Sequence, residues 1–555
     1  MADSSPFIYD LIGIGFGPSN VAIAGALIEK WHGQTEKSFK QTLFIEKHST
    51  FQWHPGMLLP GAQMQISFMK DLATLRSPQS PLTFLNYLHI HGRLPAFINR
   101  GSSTPSRKEF ADYLAWAARY VEEHGVNVNY GQEVVGIDES LDGLITVTSR
   151  SVSDGQLHDF VTRNLVVSPG GRGRFPNAAT PLLKEPLITE RSTLIHSSEY
   201  KYRVSKLLKS ITNTTPRPLR IAVIGGGQSA AEVTINLHNL LSDIPAGDGP
   251  VGHQVDMIIR KGSLKPSDDT QFSNEIFDPE VTSSWFGTVE QSRERIMSEY
   301  KSTNYSVVNS RTIDTLYEIV YDQKVEDAIS ARNPTKSTPG PRINIRSHMH
   351  IPSLKYDSSS QTFLFTLQNV QTRQVFENDT YDAIVCATGY QRNSWMEMLR
   401  NSSRLGKRFG VESGSSISDV RLVPFAQRTP SPNPVPTASA STSTPDLYDD
   451  FESSSISSIG TSSSAITTPP TGDDGSIGEK ERQSSRDPVK VYITRSYRLL
   501  PMASTQTVQD GSAEGLKARI YLQGMEEATH GLSDTLLSVI GCRAGEVVDD
   551  LLSED

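Results

Sequence analysis

The sequence predicts an α/β fold that is built around two similar strand–turn–helix units. The first unit is an apolar run at residues 8–14, followed by closely spaced glycines and an apolar helical pattern. The second unit repeats this order at residues 220–232, and a third apolar run at 381–390 contains Ala-Thr-Gly. Strand, glycine turn and helix in this order are typical of Rossmann-like dinucleotide-binding domains, so we expect two such domains.

The first unit carries Gly13, Gly15 and Gly17 between its strand and its helix. We expect Gly13 to allow the tight turn and Gly15 to let a pyrophosphate approach the backbone. The sixth position of the G-x-G-x-x-G pattern is Pro18, which suits the first turn of a helix but lacks the close packing of glycine. The helix N-terminus then offers N–H groups and partial positive charge to a phosphate.

The second strand of the first unit, residues 42–46, ends in Glu46. An acid at this place binds a ribose hydroxyl, which suits a nucleotide without a 2′-phosphate, either FAD or NAD. Its distance from Gly13, 33 residues, is longer than usual for the motif. The acid nevertheless favours FAD or NAD in the first domain.

The second unit fits G-x-G-x-x-A through Gly225, Gly227 and Ala230. Its following strand, residues 254–260, ends in Arg260 rather than in an acid. A cation at this place suits the additional 2′-phosphate of NADP. One unit ending in an acid and one ending in a base predict a protein with an FAD-binding and an NADPH-binding domain.

The order of these patterns predicts a discontinuous FAD-binding domain. The strand before Gly389 is expected to lead the chain back to that domain, and the last helix is expected to start within residues 529–538. The predicted divisions are residues 1–212 for the first part of the FAD-binding domain, 213–380 for the NADPH-binding domain, 381–412 for the FAD-binding return, 413–487 for a disordered Ser/Thr/Pro-rich insertion, and 488–555 for a C-terminal part that binds FAD and substrate.

Composition excludes several classes of protein. The net charge of −9 argues against nucleic acid as a partner. Only two cysteines occur, with no C-x-x-C pattern, so neither a disulfide framework nor a redox dithiol is expected. No secretory signal and no apolar run of membrane-spanning length is visible. We therefore expect a soluble protein of the cytoplasm, without a membrane partner.

Residues 64–76 combine aromatic, methionine and amide side chains with a single lysine, Lys70. One interpretation is a core loop whose lysine extends to water, and the commonness of such lysines favours it. The other is a segment that lines a cofactor and directs Lys70 to an anionic substrate. The residues alone leave both interpretations open.

Seven motifs together carry a resemblance to a known family. They are Gly13-Ile-Gly-Phe-Gly-Pro, Met64-Gln-Ile-Ser-Phe-Met-Lys-Asp-Leu, Lys265-Pro-Ser-Asp-Asp, Asn274-Glu-Ile-Phe, Asn304-Tyr-Ser-Val-Val, Ala387-Thr-Gly-Tyr and His530-Gly-Leu-Ser-Asp. In this order they resemble the L-ornithine N5-monooxygenases of siderophore biosynthesis, which belong to the lysine/ornithine N-hydroxylases. The similarity covers nearly the whole chain except the Ser/Pro-rich insertion.

The resemblance implies a flavin-dependent monooxygenase that converts L-ornithine to N5-hydroxy-L-ornithine with NADPH and O2 through a C4a-hydroperoxyflavin. It implies a homo-oligomer, with a tetramer suggested. In such an enzyme the cofactor supplies the reactive atoms. This agrees with the absence from the sequence of an obvious Ser-His-Asp set, metal-ligand cluster or catalytic pair, so no catalytic residue is predicted.

The same resemblance implies roles for three sets of residues. The expected FAD contacts, beside the first glycine turn, are Glu46, Lys47, His48, Ser49, Thr50, Phe51, Gln52, Trp53, His54, Gln65, Val134, His530, Gly531 and Leu532. The expected NADPH contacts are Gly226, Gly227, Gln228, Ser229, Arg260, Asn304, Tyr305 and Ser306. The expected substrate contacts are Lys70, Asn274, Glu275, Ile276, Phe277 and Ser533.

Other functions share this layout and stay open. An L-lysine N6-hydroxylase or a Baeyer–Villiger-type oxygenase would use the same two nucleotides. A non-catalytic flavin-binding scaffold would use the insertion to recruit partners. A disulfide reductase is disfavoured because the C-x-x-C pattern is missing.

Overall fold

The computed structural model describes residues 6–31, 39–212, 217–247, 251–332, 340–411, 416, 420–425, 488–502 and 516–553. Two five-stranded parallel sheets dominate these residues. We call them the first and the second nucleotide sheet. No helix in these ranges combines the length and the apolar character that crossing a membrane requires.

The first nucleotide sheet contains the first glycine unit. Its strands, in spatial order, are Arg519–Leu522, Asn164–Val167, Leu11–Ile14, Thr42–Glu46 and Asn127–Tyr130, and all neighbours are parallel. Helix Pro18–Trp31 is almost wholly buried, and it packs against helices Arg107–Glu123 and Ile540–Leu552. The C-terminal helix therefore belongs to the same layered unit as the N-terminal glycine turn.

The second nucleotide sheet contains the second glycine unit. Its strands, in spatial order, are Leu194–His196, Ala383–Cys386, Arg220–Ile224, Gln254–Ile258 and Arg342–Arg346, again all parallel. Helix Gln228–Ser242 follows its glycine turn and packs against strand Gln254–Ile258. The prediction of two Rossmann-like α/β units is confirmed.

Smaller sheets and further helices complete the described fold. The remaining strands are Ile8–Tyr9, Gln132–Glu139, Ile145–Ser151 and Leu157–Thr162 in one sheet, Met349–Asp357, Thr362–Asn369 and Val375–Tyr381 in a meander, Arg172–Gly173 with Tyr390–Gln391, and Val420–Pro424, Val489–Ile493 and Leu499–Leu500 together. The other α-helices are Phe84–Ile90, Leu94–Asn99, Pro186–Arg191, Tyr200–Ile211, Gln271–Asn274, Val281–Gly287, Glu290–Asn304, Ser310–Arg332, Ser394–Asn401, Leu405–Arg408 and Glu527–His530.

The strand at the Ala-Thr-Gly motif lies in a different sheet from the one predicted. Ala383–Cys386 pairs with Leu194–His196 and Arg220–Ile224, so it is the neighbour of the second glycine unit. The divisions predicted from the sequence place residues 194–196 and 381–386 in the FAD-binding domain, whereas residues 220–224 are in the NADPH-binding domain. That part of the domain prediction is wrong, because an apolar run predicts a buried strand but not its pairing partner. Cys386, the last residue of this strand, is buried, and burial raises the pKa of its thiol.

Two further predictions need correction. The apolar run at residues 8–14 divides at Asp10, and Ile8–Tyr9 pairs with Leu157–Thr162 outside the first nucleotide sheet. Residues 420–424, predicted to be disordered, form a strand beside Val489–Ile493, because the short apolar alternation there buries Val420. The other residues of the predicted insertion, except 416 and 425, lie outside the described residues.

The last helix begins later than predicted. Gly531 has a φ of +100°, which ends the short helix Glu527–His530. Residues Leu532–Thr535 and Leu537–Val539 then form single 3₁₀ turns, and the last helix is Ile540–Leu552. The His530–Ser533 segment is therefore a buried turn, not the N-terminus of a long helix.

Candidate functional site

The first glycine turn is made at Gly15 rather than at Gly13. Gly15 has a φ of +80°, and a Cβ there would lie 2.6 Å from the carbonyl oxygen of Ser168. Gly13 belongs to a strand, and a Cβ on it would lie 2.3 Å from the Phe44 ring. The predicted role of Gly13 in the turn is therefore wrong, and its hydrogen makes room for the neighbouring strand's aromatic ring.

The surroundings of this turn fit a dinucleotide pyrophosphate. No atom lies within 4 Å of a Cβ placed on Gly17, so the backbone there is open on one side. Helix Pro18–Trp31 starts at the next residue, so its positive end faces the turn. Asn20 donates from Nδ2 to the carbonyl of Gly15 at 2.6 Å, which fixes the turn's shape.

Glu46 closes the first turn from the neighbouring strand. Its carboxylate accepts hydrogen bonds from the backbone N–H of Phe16 at 2.8 Å and of His48 at 2.9 Å. Each carboxylate oxygen still has acceptor capacity for a ribose hydroxyl. The structure thus places Glu46 beside the glycine turn, and it adds a structural role that the sequence did not predict.

The segment after Glu46 turns back along the surface of the first unit. Lys47, His48, Ser49 and Thr50 are exposed, whereas Phe51, Gln52 and Trp53 are half-buried and border a cavity of about 860 Å³. His54 has a left-handed backbone, with φ +40°. Its ring lies 5.7 Å from that of Tyr390, which brings the segment to the Ala-Thr-Gly-Tyr motif.

The second glycine turn is made at Gly225. This residue has a φ of +141°, and a Cβ would lie 2.3 Å from the carbonyl oxygen of Ala387. The Ala-Thr-Gly motif therefore crosses directly over the second turn. Around it, Gly226, Gly227, Gln228 and Ser229 are half-buried and open the helix Gln228–Ser242.

The structure brings the segment 304–306 to this second turn. Ser306 lies against Gly226 and Gly227. Its Oγ is 3.4 Å from a Cβ placed on Gly226. Lys261 donates from Nζ to the carbonyl oxygens of Tyr305 and Ser306, each at 3.3 Å. Asn304 instead bonds within its own helix, to the carbonyl of Tyr300 at 2.9 Å.

Arg260 is exposed just beyond the end of strand Gln254–Ile258. Together with burial, which has the larger effect, its charge lowers the pKa of His350. An exposed guanidinium at the end of this strand can reach the 2′-phosphate of a nucleotide held by the second turn.

The His530–Ser533 turn is packed from several sides. The His530 ring stacks on Tyr497 with 4.1 Å between centroids and an 18° interplanar angle, and its Nε2 lies 3.2 Å from the carbonyl oxygen of Arg495. Burial lowers the pKa of His530 to about 4. Gly531, Leu532 and Ser533 are also buried, so the turn is rigidly placed.

Lys70 and the predicted substrate segment meet beside this turn. The Lys70 ammonium lies 5.3 Å from the centroid of the Phe277 ring. Ile276 and Phe277 pack on a small apolar cluster that contains Leu532. Burial lowers the pKa of Lys70, and the nearby Asp278 carboxylate opposes that shift. The arrangement is a partly desolvated cation at an aromatic and apolar wall, which suits the carboxylate of a small ligand.

The segment 301–305 joins this region to the second nucleotide unit. The Tyr305 hydroxyl donates to Glu527, and Lys301 pairs with the same carboxylate at 3.3 Å. Glu527 lies in the short helix that leads into His530. Tyr305, a predicted NADPH contact, is therefore joined through Glu527 to the turn that carries the predicted FAD contacts His530 to Leu532. That turn packs on the predicted substrate segment through Leu532.

Four further predicted site residues are not joined to these groups by any of the contacts described above. Gln65, Asn274 and Glu275 are exposed. Val134 lies in strand Gln132–Glu139, outside the two nucleotide sheets, where it packs on a core cluster. Their predicted roles stay predictions.

Sequence reasoning missed a buried network that touches both units. Arg107 and Glu232 form a two-pronged ion pair although they are 125 residues apart. His196 bonds the carbonyl of Gly389 through Nε2 at 3.0 Å, beneath the Ala-Thr-Gly loop. The only sequence signal was an arginine directly after the helix-capping Ser106 and a glutamate soon after the second glycine turn.

These two sheets, each with a left-handed glycine after a central strand, define an α/β protein with two dinucleotide-binding units. Residues 7–392 match the family model described as L-lysine 6-monooxygenase/L-ornithine 5-monooxygenase. The chain therefore belongs to the L-lysine 6-monooxygenase/L-ornithine 5-monooxygenase family.

Individual relatives align over almost their whole length. An L-ornithine N(5)-monooxygenase from Omphalotus olearius is 53% identical over 100% of both chains. The solved ornithine hydroxylase from Pseudomonas aeruginosa is 32% identical with a TM-score of 0.68, covering 98% of this chain and 99% of its own. The Kutzneria sp. 744 ornithine N-hydroxylase, solved with reduced FAD, NADP⁺ and L-ornithine, is 26% identical with a TM-score of 0.66 over 98% and 99%.

Proposed function

We propose that this protein is an FAD- and NADPH-dependent monooxygenase that hydroxylates the N5 amine of L-ornithine with dioxygen, as the first step of hydroxamate siderophore biosynthesis. The observation that carries the proposal is the contact of Lys70 with Phe277 beside the buried Leu532. The alignment of the whole chain with an L-ornithine N(5)-monooxygenase supports the same proposal.

The chain's own residues would bind and orient the reactants. The Gly15 turn and Glu46 would hold FAD, and the Gly225 turn with Arg260 would hold NADPH. When bound, these cofactors supply hydride transfer and oxygen activation. Lys70 would pair with the substrate carboxylate, and this places the other end of the amino acid, its side-chain amine, away from the lysine.

The site must also keep water out and accept a neutral amine. The Lys70 ammonium lies over the Phe277 ring, and Phe277 packs on the apolar cluster that contains Leu532. We expect this apolar surface to limit the access of water to the bound substrate. An ammonium group has no free electron pair, so the substrate amine must lose its proton before it reacts. A desolvated site lowers the pKa of an amine and favours that loss.

The direct test is hydroxylamine formation by the purified FAD-loaded protein with NADPH and dioxygen. Ornithine and lysine, which differ by one methylene, are compared at equal concentrations. We expect product from ornithine with a clear preference over lysine. Preference for lysine would assign the N6-hydroxylase function, and flavin reduction by NADPH without product from either amino acid would overturn the proposal.

Arg260→Ala is expected to weaken NADPH binding more than NADH binding, by roughly 1–3 kcal/mol for loss of a charged hydrogen-bond partner. The reason is that only NADPH carries the 2′-phosphate. Flavin-reduction rates across a range of each nucleotide measure the difference. Lys261→Ala provides the comparison, since its bonds to Tyr305 and Ser306 support the turn for both nucleotides. Equal losses for both nucleotides in Arg260→Ala would contradict the assignment.

Acid is expected to destabilise the protein through two buried histidines. Burial lowers the pKa of His196 and of His530 from 6.5 to about 4. The folded state therefore binds fewer protons than the unfolded state between these values, and stability falls as pH drops through this window. His530→Phe should reduce the slope by up to about 1.4 kcal/mol per pH unit.

Thermal unfolding at several pH values from about 7.5 down to 4.5 measures that slope. His89→Gln, which replaces an exposed histidine, is the control variant with which the slope of His530→Phe is compared. An unchanged slope in His530→Phe would show that His530 titrates normally in the folded protein.

We also propose that the protein works in the cytoplasm as a homo-oligomer. Helix Ser310–Arg332 exposes four apolar side chains at four-residue intervals, namely Tyr317, Tyr321, Val325 and Ile329. An antiparallel second copy with Tyr321 opposite Val325 would place Asp314 opposite Arg332 and Asp322 opposite Lys324. Such a twofold contact is self-complementary in both shape and charge.

Tyr321→Glu should lower the molar mass measured by light scattering while leaving flavin reduction unchanged. The substitution puts a charge into the proposed apolar contact, on the face of the helix away from the nucleotide turns. Glu318→Gln, on the same helix, is the control. A wild-type protein that is monomeric at micromolar concentration would contradict the proposed contact.

A further inference from the structure

One guanidinium joins the two nucleotide units. Arg107 is the first residue of helix Arg107–Glu123, in the first unit. Its Nη1 and Nη2 donate to the two carboxylate oxygens of Glu232 at 2.9 and 2.8 Å. Glu232 lies in helix Gln228–Ser242, directly after the second glycine turn. The side chains are only 15% and 8% exposed, so this ion pair is largely shielded from water.

The same guanidinium also holds the turn that follows the segment predicted to contact FAD. Arg107 Nη1 donates to the carbonyl oxygen of Met57 at 2.9 Å. Met57 ends the 3₁₀ turn that begins directly after the left-handed His54. The position of this turn is therefore tied to Glu232 through a single planar side chain.

The network continues on the second unit. Gln228 donates from Nε2 to Glu232 at 2.8 Å and to the Thr312 hydroxyl at 3.0 Å. The Gln228 side-chain oxygen Oε1 accepts a hydrogen bond from the backbone N–H of Asn309 at 2.7 Å. Asn309 lies three residues after Ser306, which rests on the second glycine turn. A continuous hydrogen-bonded path thus runs from Met57 to the 306–309 segment.

We propose that Arg107 and Glu232 are positioning residues that dock the NADPH-binding unit on the FAD-binding unit in the geometry needed for hydride transfer. The inference rests on the proposed function for the identity of the two nucleotides. It goes further in assigning their relative placement to one ion pair. Neither side chain is assigned a contact with the reacting atoms.

The chemistry of arginine suits this task better than that of lysine. A guanidinium makes two parallel bonds to a carboxylate and still has an N–H for a carbonyl, whereas an ammonium cannot hold the same fork. Arg107→Lys preserves the charge and should loosen the geometry. Glu232→Gln preserves the size and removes the charge.

A matched control pair exists elsewhere in the chain. Arg408 also makes two hydrogen bonds to one carboxylate, from Nε and Nη2 to Glu139 at 2.8 and 2.9 Å. These residues lie in the short helix Leu405–Arg408 and the strand Gln132–Glu139, outside both glycine turns. Arg408→Lys therefore shows how much flavin reduction changes when lysine replaces an arginine that makes such a pair elsewhere in the chain.

The experiment measures anaerobic flavin reduction at saturating NADPH in FAD-loaded Arg107→Lys, Glu232→Gln, the double variant and Arg408→Lys. We expect both single variants of the pair to keep wild-type FAD content and wild-type reduction by dithionite. Reduction by NADPH should slow by about 10–100-fold, because displacement of reacting groups by about 1 Å has effects of this size. The double variant should be no slower than the slower single variant, because both substitutions disrupt the same ion pair.

A second readout does not depend on redox activity. Amide hydrogen exchange of the FAD-loaded protein without NADPH is followed at peptides that cover Met57 and Asn309. We expect faster exchange at both in Arg107→Lys but not in Arg408→Lys. A wild-type protein that NADPH fails to reduce would count against the proposed function, and the exchange result would then still decide whether the pair docks the two units.

Three results of the flavin-reduction experiment would overturn the inference. They are wild-type NADPH reduction in both single variants, an equal slowing in Arg408→Lys, and loss of FAD or of dithionite reduction in Arg107→Lys. Unchanged exchange at both peptides would also overturn it, since the pair would then not hold the two segments.

Discussion

Lys70→Ala is expected to keep its FAD, to be reduced by NADPH at the wild-type rate, and to lose productive binding of ornithine. Lys70 is half-buried over the Phe277 ring, and burial already lowers the pKa of its ammonium group. A substrate carboxylate that enters this site loses its hydration and needs a cation in exchange. Removing one partner of a buried charge pair costs about 2–5 kcal/mol.

The measurement compares hydroxylated product with NADPH consumed across ornithine concentrations. In Lys70→Ala the ornithine KM should rise sharply, and most of the consumed oxygen should be released as hydrogen peroxide. Lys355→Ala is the control, because Lys355 is an exposed lysine in the meander sheet. A variant with wild-type KM and coupling would restore the interpretation of Lys70 as a lysine that merely extends to water.

The parts of the fold that follow from local patterns could be predicted from the sequence. Both glycine motifs contain the left-handed glycine of a turn, Gly15 in the first and Gly225 in the second, because a left-handed residue without a side chain is a local requirement. Which glycine of the first motif makes the turn was not predicted correctly. Ser106-Arg-Lys-Glu109 has the pattern of a helix capping box, and the Ser106 hydroxyl accepts a hydrogen bond from the backbone N–H of Glu109. Strand Thr42–Glu46 has the predicted bounds.

Features that depend on pairing between distant segments could not be predicted in this way. The apolar run at 383–386 indicates a strand, but nothing in it selects the second nucleotide sheet over the first. Arg107 and Glu232 form an ion pair although 125 residues separate them, and no helix or strand periodicity relates positions that far apart. The meeting of Lys70 with Phe277 was implied only by resemblance, since 207 residues separate them.

Gly225→Ala is expected to abolish reduction by NADPH while leaving FAD bound. The added Cβ would lie 2.3 Å from the Ala387 carbonyl oxygen, and the φ of +141° is one that L-residues rarely adopt. Backbone strain and overpacking together should cost about 2–6 kcal/mol. That cost falls on the crossing of the Ala-Thr-Gly loop over the second turn, so the first unit should stay folded.

Three comparisons make this prediction specific to the second unit. Dithionite should still reduce the flavin of Gly225→Ala, which separates loss of NADPH delivery from loss of FAD. Gly15→Ala, with φ +80° and a Cβ 2.6 Å from the Ser168 carbonyl, should instead lose FAD. Gly155→Ala has a similar φ of +76° but no atom within 4 Å of its Cβ, so it should retain FAD and be reduced by NADPH. Wild-type reduction of Gly225→Ala by NADPH would mean that the second glycine turn is not where the nucleotide binds.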